Sequence, residues 1–214
     1  PIIFLGNEFF DSLPIKQVQK RGELFFEKHI CLKKNKKLKY IYKRANKNLI
    51  KSIKNLNLIK SGETIEYPKK SIDFLNSIAK KINRYDGGLL TFDYGYTKKN
   101  YSDTLQSVKR HKYSNPLLNL GNSDITSHVN FTLFKKILIN NKLNLSKIVT
   151  QSEFLQKMGI LERSNIISKK MSFKDKKNLF YRMNRLLSPN YMGTLFKVLF
   201  AYKNKKYKKF SLGF

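Results

Sequence analysis

The sequence predicts an α/β fold that contains a parallel β-sheet. Residues 1–5 (PIIFL) and 89–92 (LLTF) are short apolar runs without alternating polar positions, a pattern typical of parallel strands that are covered on both faces. Residues 71–84 (SIDFLNSIAKKINR) have apolar side chains at helical spacing, and Gly87 and Gly88 separate them from the second run. This order of helix, glycines and strand is half of a βαβ unit, so we expect both runs to lie in one sheet.

The composition excludes several classes of protein. The chain has 214 residues, of which 41% are hydrophobic and 13% aromatic; this is enough for a packed core and too much for a disordered chain. Cys31 is the only cysteine, which excludes an internal disulfide and a zinc site built on paired cysteines, and favours a reducing compartment. No apolar run reaches the roughly 18–20 residues that cross a bilayer, and we expect no metal site.

The net charge of +30 has two interpretations. Lysine and arginine neutralise phosphates, so the charge is compatible with an RNA-binding protein. However, 37 of the 44 basic residues are lysine, asparagine is also frequent, and the lysines are spread along the whole chain. Because both amino acids have A/T-rich codons, we favour genome composition as the explanation and expect no specific nucleic-acid partner.

The first half of the chain also predicts an antiparallel hairpin. Strand patterns at 24–32 and 38–42 flank a polar turn, within a segment that spans 15–44. After it, Ser71 occupies the N-cap position of the helix at 71–84.

The second half mixes helices with strands. Residues 97–130 are predicted to be a long loop region, because few periodic signals occur there and loops of this length are usually functional or disordered. Residues 203–214 form a basic tail. The other predicted elements are, in order, a helix at 131–142, a strand at 145–150, helices at 152–158, 160–170 and 172–187, and a strand at 192–202.

Two groups of polar residues come directly after the two apolar strands. Asn7, Glu8 and Asp11 follow the first strand, and Asp93 and Tyr94 follow the second. Ligands of open α/β sheets bind beyond the carboxyl ends of the parallel strands, which places all five residues on one edge of the predicted sheet. Turns and helix caps use the same residue types, so the pattern alone supports a structural role as well as a functional one.

Seven segments of the chain, in this order, resemble motifs of one protein family. They are residues 6–17 (GNEFFDSLPIKQ), 87–96 (GGLLTFDYGY), 103–108 (DTLQSV), 111–117 (HKYSNPL), 124–131 (DITSHVNF), 150–155 (TQSEFL) with Gly159 and Ile160, and 192–198 (MGTLFKV). The family is the MidA-like group of mitochondrial complex I assembly methyltransferases and their bacterial homologues. The resemblance covers essentially the whole chain and departs from the pattern at Asn130, where the family usually has aspartate.

The resemblance implies a class I S-adenosylmethionine-dependent methyltransferase, whose Rossmann-like α/β sheet has seven strands and an antiparallel last pair. Strands four to seven would be those at 1–5, 87–96, 145–150 and 192–202, with 15–44 as an inserted β-hairpin. The sequence contains no G-x-G, whereas the family has a glycine-rich cofactor loop upstream of the first motif. We therefore expect residues 1–214 to be the C-terminal part of one methyltransferase domain, a fragment that is inactive by itself.

The resemblance also implies an activity, the N-methylation of a protein arginine with S-adenosyl-L-methionine as cofactor. The protein substrate would be a subunit of respiratory complex I or a similar protein, in the bacterial cytoplasm or, in a eukaryote, the mitochondrion. Glu8 would bind the guanidinium, Asn7 would orient the substrate nitrogen or the cofactor carboxylate, and Gly6 with Asn7 would contact the cofactor. The residues assigned to substrate binding are Asp11, Asp93, Tyr94 and His128.

Other interpretations stay open. Asp11 could instead fix its loop by accepting backbone N–H bonds. His111 and His128 could be hydrogen-bonding loop residues rather than general bases. Asn130 retains the ability to cap the helix that begins at Phe131. For the whole chain, the alternatives are a non-enzymatic assembly or binding protein of the same fold and, on charge alone, a basic RNA-binding protein.

Overall fold

The computed structural model describes residues 1–59, 64–97, 103–110, 112–118, 120–204, 206–207 and 212–214. They belong to two compact units. The first unit comprises Pro1–Phe10, Phe74–Lys98 and Val129–Phe214, and the second unit comprises Asp11–Asp73 and Lys99–His128.

Strands and helices alternate along the chain. The described strands are β1 (Ile2–Asn7), β2 (Lys16–Arg21), β3 (Leu24–Leu32), β4 (Leu38–Arg44), β5 (Thr64–Tyr67), β6 (Gly87–Tyr96), β7 (Gln106–Lys109), β8 (Lys112–Ser114), β9 (Asp124–Thr126), β10 (Val129–Asn130), β11 (Asn144–Leu145), β12 (Val149–Thr150) and β13 (Phe196–Tyr202). The described helices are α1 (Lys47–Asn55), α2 (Lys69–Tyr85), α3 (Phe131–Asn140), α4 (Gln151–Lys157), α5 (Ile160–Ser168), α6 (Phe173–Leu187) and α7 (Met192–Leu195).

The first unit is built on a mixed sheet with β6 near its centre. β1 pairs with β6 in parallel, in a register that runs from Ile2 beside Gly87 to Asn7 beside Phe92. On the other side of β6, β13 is antiparallel, and β11 and β12 pair antiparallel with β13. The predicted parallel pair and the predicted reversal of the last strands are both confirmed.

The core of the first unit lies on β6, β13 and α3. The buried apolar side chains of these elements include Leu89, Phe131, Leu133, Phe134, Ile137, Leu138, Phe196, Val198, Leu199 and Ala201. Asn130 is the N-cap of α3, and its side-chain oxygen accepts a hydrogen bond of 2.9 Å from the N–H of Leu133. Asparagine caps helices as well as aspartate does, so the departure from the family pattern at Asn130 preserves the helix start.

The prediction that the first strand is covered on both faces is wrong. Ile3 is 78% exposed and Leu5 is 71% exposed, and within the described residues β1 forms one edge of the sheet. The apolar run gives no information about which face is covered, because it has no polar position to mark the solvent side.

Where β6 begins beside Ile2 of β1, the two backbones approach closely. Gly87 has a φ of +116°, and a Cβ atom there would lie 1.9 Å from the carbonyl oxygen of Ile2. This approach requires glycine.

The second unit contains more strands than the predicted hairpin. β3 and β4 form that hairpin, but β2 and β5 extend it to a four-stranded antiparallel sheet in the order β4, β3, β2, β5. Helix α1 was not predicted; Asn46 caps it through a 2.8 Å bond from the N–H of Leu49. The helix has only nine residues, too few to be stable by themselves, and the burial of Leu49 and Ile53 supplies the stability that propensity does not.

Three other predictions need correction. The region 97–130 is not simply a loop, because β7, β8 and β9 form a small antiparallel sheet there; strands of three or four residues are too short to give a periodic pattern. The predicted strand at 145–150 is two short strands, β11 and β12. The segment at 192–202 begins with the helical turn α7 before β13. Residues 205 and 208–211 of the predicted basic tail lie outside the described residues.

Candidate active site at the carboxyl end of β1

The loop that follows β1 presents the side chains of Asn7 and Glu8. Both residues are exposed, and Glu8 has a φ of +47°. Few residues other than glycine adopt this left-handed conformation, since the side chain then crowds the backbone. Such residues are concentrated at functional sites. The loop therefore holds an exposed carboxylate at the carboxyl edge of the parallel pair, in a backbone conformation that packing must maintain.

Two hydrogen bonds fix this loop to β6. The N–H of Glu8 donates to the carbonyl oxygen of Phe92 at 2.9 Å. The N–H of Phe10 donates to Oδ2 of Asp93 at 2.9 Å, and the other carboxylate oxygen of Asp93 accepts from the N–H of Tyr94 at 3.0 Å. Asp93 is completely buried. It thus accepts backbone N–H bonds from the loop, which is the alternative role considered for Asp11.

Contacts between aromatic rings also hold the loop in place. The ring of Phe10 is buried and meets that of Phe134 edge to face, with 4.8 Å between the centroids. Phe9 contacts Phe74 in the same way at 5.3 Å. Edge-to-face pairs of this kind add to the burial energy of the rings. The loop backbone is therefore held by packing as well as by hydrogen bonds.

The remaining predicted site residues of the first unit are buried. Tyr94 packs against Phe196 with 5.5 Å between ring centroids. Gly6 is buried near the end of β1, where a Cβ atom would lie 3.3 Å from Oγ1 of Thr91. Of the residues predicted in this unit, Asn7 and Glu8 are the two that solvent, and hence a ligand, reaches directly. The contacts assign Asp93 and Tyr94 a positioning role, and their contact with a substrate stays a prediction.

The second unit contains two predicted substrate-binding residues. Asp11 is buried and lines a cavity of about 290 Å³ together with residues of the segment 125–127. Its carbonyl oxygen accepts a 3.0 Å bond from the N–H of Ser127. His128 is half-buried, and its N–H donates to Oγ1 of Thr104 at 3.0 Å. His111 lies outside the described residues.

A polar cluster in the second unit was not predicted. The carboxylate of Glu66 accepts bonds from the N–H of Thr104 (2.9 Å), the hydroxyl of Thr104 (2.6 Å) and the side-chain amide of Gln17 (2.9 Å). The same amide donates to Asp103 at 2.6 Å. Burial raises the pKa of Glu66 above its ordinary value and outweighs these hydrogen bonds, which lower the pKa. The nearby carboxylate of Asp103 raises the pKa further. No signal in the sequence joins these residues, because 38 positions separate Glu66 from Thr104.

The site at β1 fits part of a cofactor that contains a nucleoside. In open α/β sheets such cofactors bind beyond the carboxyl ends of parallel strands, which is where the exposed Asn7 and Glu8 lie. Their amide and carboxylate groups are suited to the polar and cationic groups of S-adenosyl-L-methionine. Among the described residues there is no cluster of metal-ligating side chains, and none of the described helices combines the length and apolar character needed to cross a membrane.

Comparison with known proteins gives relatives that are about twice as long as this chain. The protein named mitochondrial protein arginine methyltransferase NDUFAF7 of Xenopus tropicalis is 29% identical over 200 residues, which are 91% of this chain and 45% of the relative. Its homologue from Caenorhabditis elegans is 30% identical over 165 residues, 75% of this chain and 38% of the relative. The chain therefore spans less than half the length of these relatives.

Two crystal structures of Burkholderia thailandensis proteins have a similar fold. The first, an uncharacterized protein, has a TM-score of 0.82 and 21% identity, and the match covers 94% of this chain and 55% of the other. The second, solved with S-adenosyl-homocysteine bound, has a TM-score of 0.78 and 20% identity, with 94% and 53% covered. At these identities the likeness concerns the fold, which is that of a class I methyltransferase.

The family of the chain follows from a match along most of its length. Residues 1–149 match the model of a family of S-adenosyl-L-methionine-dependent methyltransferases. This range includes β1, the Glu8 loop and β6, and it extends through α3. S-adenosyl-L-methionine is the cofactor of that family. The chain thus belongs to the S-adenosyl-L-methionine-dependent methyltransferase family to which its motifs assigned it.

Proposed function

We propose that this chain is the substrate-presenting part of a protein-arginine N-methyltransferase, and that Glu8 binds the guanidinium group that is methylated. The observation that carries the proposal is the exposed, left-handed Glu8, held by β6 at the end of a parallel strand. The names of the relatives, protein arginine methyltransferases of mitochondria, support arginine as the acceptor. The protein substrate is then a subunit of complex I or a similar protein.

A carboxylate is the group that this reaction needs from the protein. The guanidinium is protonated at neutral pH and its lone pairs are delocalised, so it is a poor nucleophile. A carboxylate binds it through two parallel charge-assisted hydrogen bonds, which fix its plane and draw positive charge toward two of its nitrogens. The third nitrogen is then left for reaction. Glu8 would contribute mainly orientation and electrostatic stabilisation.

The cofactor, when bound, supplies a methyl group on a positively charged sulfur. Glu8 would hold the guanidinium so that its free nitrogen faces this methyl carbon, and the electron pair of the carbon–sulfur bond would stay with sulfur. The nitrogen must also lose a proton. Because two other nitrogens of the guanidinium occupy the oxygens of Glu8, this proton would pass to water at the exposed site. Asn7, which precedes Glu8 in the loop, would orient the acceptor nitrogen or the carboxylate of the cofactor.

We further propose that the rest of the cofactor site is formed by polypeptide that this sequence does not contain. The chain corresponds to less than half of its relatives, and its ten glycines include no G-x-G segment. Asn7 would supply one side of the cofactor site, with the buried Gly6 supporting its backbone, and the chain alone would not transfer methyl groups. The compartment would be the mitochondrion in a eukaryote and the cytoplasm in a bacterium.

The test is the change Glu8→Gln in a full-length family member that carries the segment GNEFFD. We expect methyl transfer to an arginine peptide to fall by at least about 100-fold, because the bidentate charged contact is lost, while cofactor affinity stays within about twofold. The measurements are transfer of labelled methyl groups and calorimetric titration of the cofactor.

Glu8→Asp is the matched control, since it keeps the charge and removes one methylene group. We expect it to retain more activity than Glu8→Gln. Unchanged turnover in Glu8→Gln would remove Glu8 from the mechanism. Mass spectrometry of complex I subunits from cells with and without the gene tests the substrate separately.

A further inference from the structure

Helices α5 and α6 of the first unit leave large apolar side chains in solvent. Ile166 is 70% exposed, Phe173 is 85% exposed and Phe180 is 52% exposed. The buried residues of the two helices are Ser164 in α5 and Met183 in α6. A group of exposed apolar residues in a limited part of a protein usually marks an interaction site.

These side chains are close together in the sequence and lie on two consecutive helices. Ile166 lies in the last turn of α5, and Phe173 is the first residue of the next helix, α6. Phe180 follows Phe173 by seven residues, which places the two rings on one face of α6, two turns apart. We call Ile166, Phe173 and Phe180 the α5–α6 patch.

Basic residues are frequent in the sequence around the patch. Between residues 157 and 187 the chain has nine lysines and arginines, and its acidic residues there are Glu162 and Asp175. Lys174, Lys176 and Lys177 fall between the two phenylalanines of the patch. The partner of this surface must therefore accept exposed aromatic rings and several cationic groups at once.

The mixture of lysine and phenylalanine distinguishes a lipid partner from a protein partner. The centre of a protein–protein interface is depleted in lysine, whereas helices that lie on membranes combine lysine and arginine with phenylalanine and leucine. Anionic headgroups attract the cations, and the rings enter the boundary between headgroups and acyl chains. We propose that the α5–α6 patch docks on the surface of an anionic lipid bilayer, with Phe173 inserted between headgroups. This peripheral contact goes beyond the proposed methyl transfer and does not depend on it.

The chain offers a clean spectroscopic test, because it has no tryptophan. The variant Phe173→Trp places a single indole at the patch. Vesicles of phosphatidylcholine with phosphatidylglycerol are added at physiological ionic strength. We expect the emission to move to shorter wavelength and brominated lipids to quench it, since the ring leaves water. Vesicles of pure phosphatidylcholine should have no effect.

The control is Tyr113→Trp. Tyr113 is 81% exposed, it lies in the second unit, and Lys112 is its neighbour. If the +30 charge merely attracts the whole chain to anionic vesicles, both indoles respond alike, and the proposal is wrong. If the indole at position 173 responds and the one at 113 stays in water, the patch is the docking surface.

A second variant tests the contribution of the rings to affinity. Phe173→Ser together with Phe180→Ser keeps the charge of the chain, and both positions are exposed, so helix content by circular dichroism should be unchanged. We expect vesicle sedimentation to show binding at least about tenfold weaker than that of the native chain. Equal binding would overturn the proposal. A blue-shifted Phe173→Trp emission that depends on protein concentration without vesicles would also overturn it, in favour of a second copy of the chain.

Discussion

Glu8 and Asp93 are two carboxylates near the carboxyl ends of neighbouring parallel strands, yet they have opposite environments. Glu8 is exposed and has a left-handed backbone. Asp93 is completely buried and accepts hydrogen bonds from two backbone N–H groups. One of those bonds holds the loop that carries Glu8. The comparison teaches that position at a sheet edge does not define a role: the buried acid supports the backbone, and the exposed acid is available to a ligand.

The largest expected effect on stability comes from removing the buried acid. In Asp93→Ala the N–H groups of Phe10 and Tyr94 lose their acceptor in a buried environment. We expect the free energy of unfolding to fall by about 2–5 kcal/mol, because each orphaned buried donor costs about 1–3 kcal/mol. Urea denaturation of the chain measures this. Glu8→Ala is the matched control and should change the free energy by less than about 1 kcal/mol; similar losses in the two variants would abolish the distinction.

A substitution of Glu8 is expected to change the free energy of unfolding by a smaller amount and in the opposite direction, as an increase. Glycine adopts a φ of +47° without strain, so Glu8→Gly should raise the free energy of unfolding by up to about 1 kcal/mol. In a full-length family member the same change should abolish methyl transfer. Increased stability with lost activity would mean that the strain at Glu8 is maintained for function. A decrease in thermal and urea stability would contradict the assignment of strain to this residue.

The smallest expected effect is a pH dependence of the free energy of unfolding, which the carboxylate of Glu66 contributes. Burial raises the pKa of Glu66 above its ordinary 4.5, so the folded protein binds a proton there more tightly than the unfolded chain does. The contribution of Glu66 to the free energy of unfolding is therefore fully present below pH 4.5. It is lost as the pH rises through the raised pKa of Glu66 in the folded protein. We expect the stability of the native chain relative to Glu66→Gln to decline over that interval.

Urea denaturation of both proteins between about pH 4 and about pH 7 tests this expectation. Glu23→Gln controls for the loss of one negative charge, since the Glu23 side chain is 93% exposed. A constant difference between the native chain and Glu66→Gln across the interval would show that the hydrogen bonds of Thr104 and Gln17 offset the effect of burial.

Local patterns in the sequence were sufficient for the elements with strong periodicity. Helix α2, helix α3 and the parallel pairing of β1 with β6 were predicted, because the apolar spacing and the glycines at the start of β6 specify them. The predicted N-cap of α2 was wrong, because the helix begins at Lys69 and includes Ser71. The exposure of Ile3 and Leu5 could not be predicted, since an unbroken apolar run does not show which neighbours a strand has. Short strands such as β7 and β9 depend on pairing with distant residues rather than on their own pattern.

The candidate site was predictable to a similar degree. The exposed Glu8 belongs to a motif that could be recognised from its residues alone. The supporting role of Asp93 could not, because its hydrogen-bond donor Phe10 lies 83 positions away in the chain. The same reason applies to Glu66, whose environment depends on Thr104 and Gln17. Side-chain roles that are set by contacts between distant segments require the structure.

Among the described residues β1 is an edge strand, and this has a consequence for handling the chain by itself in solution. An edge strand with aliphatic side chains in water is a template for edge-to-edge stacking of further molecules. The net charge of +30 opposes such stacking by mutual repulsion. Salt screens that repulsion while leaving the apolar attraction intact. Clear solutions at low ionic strength and turbidity after addition of salt would therefore be the colloidal signature of this strand.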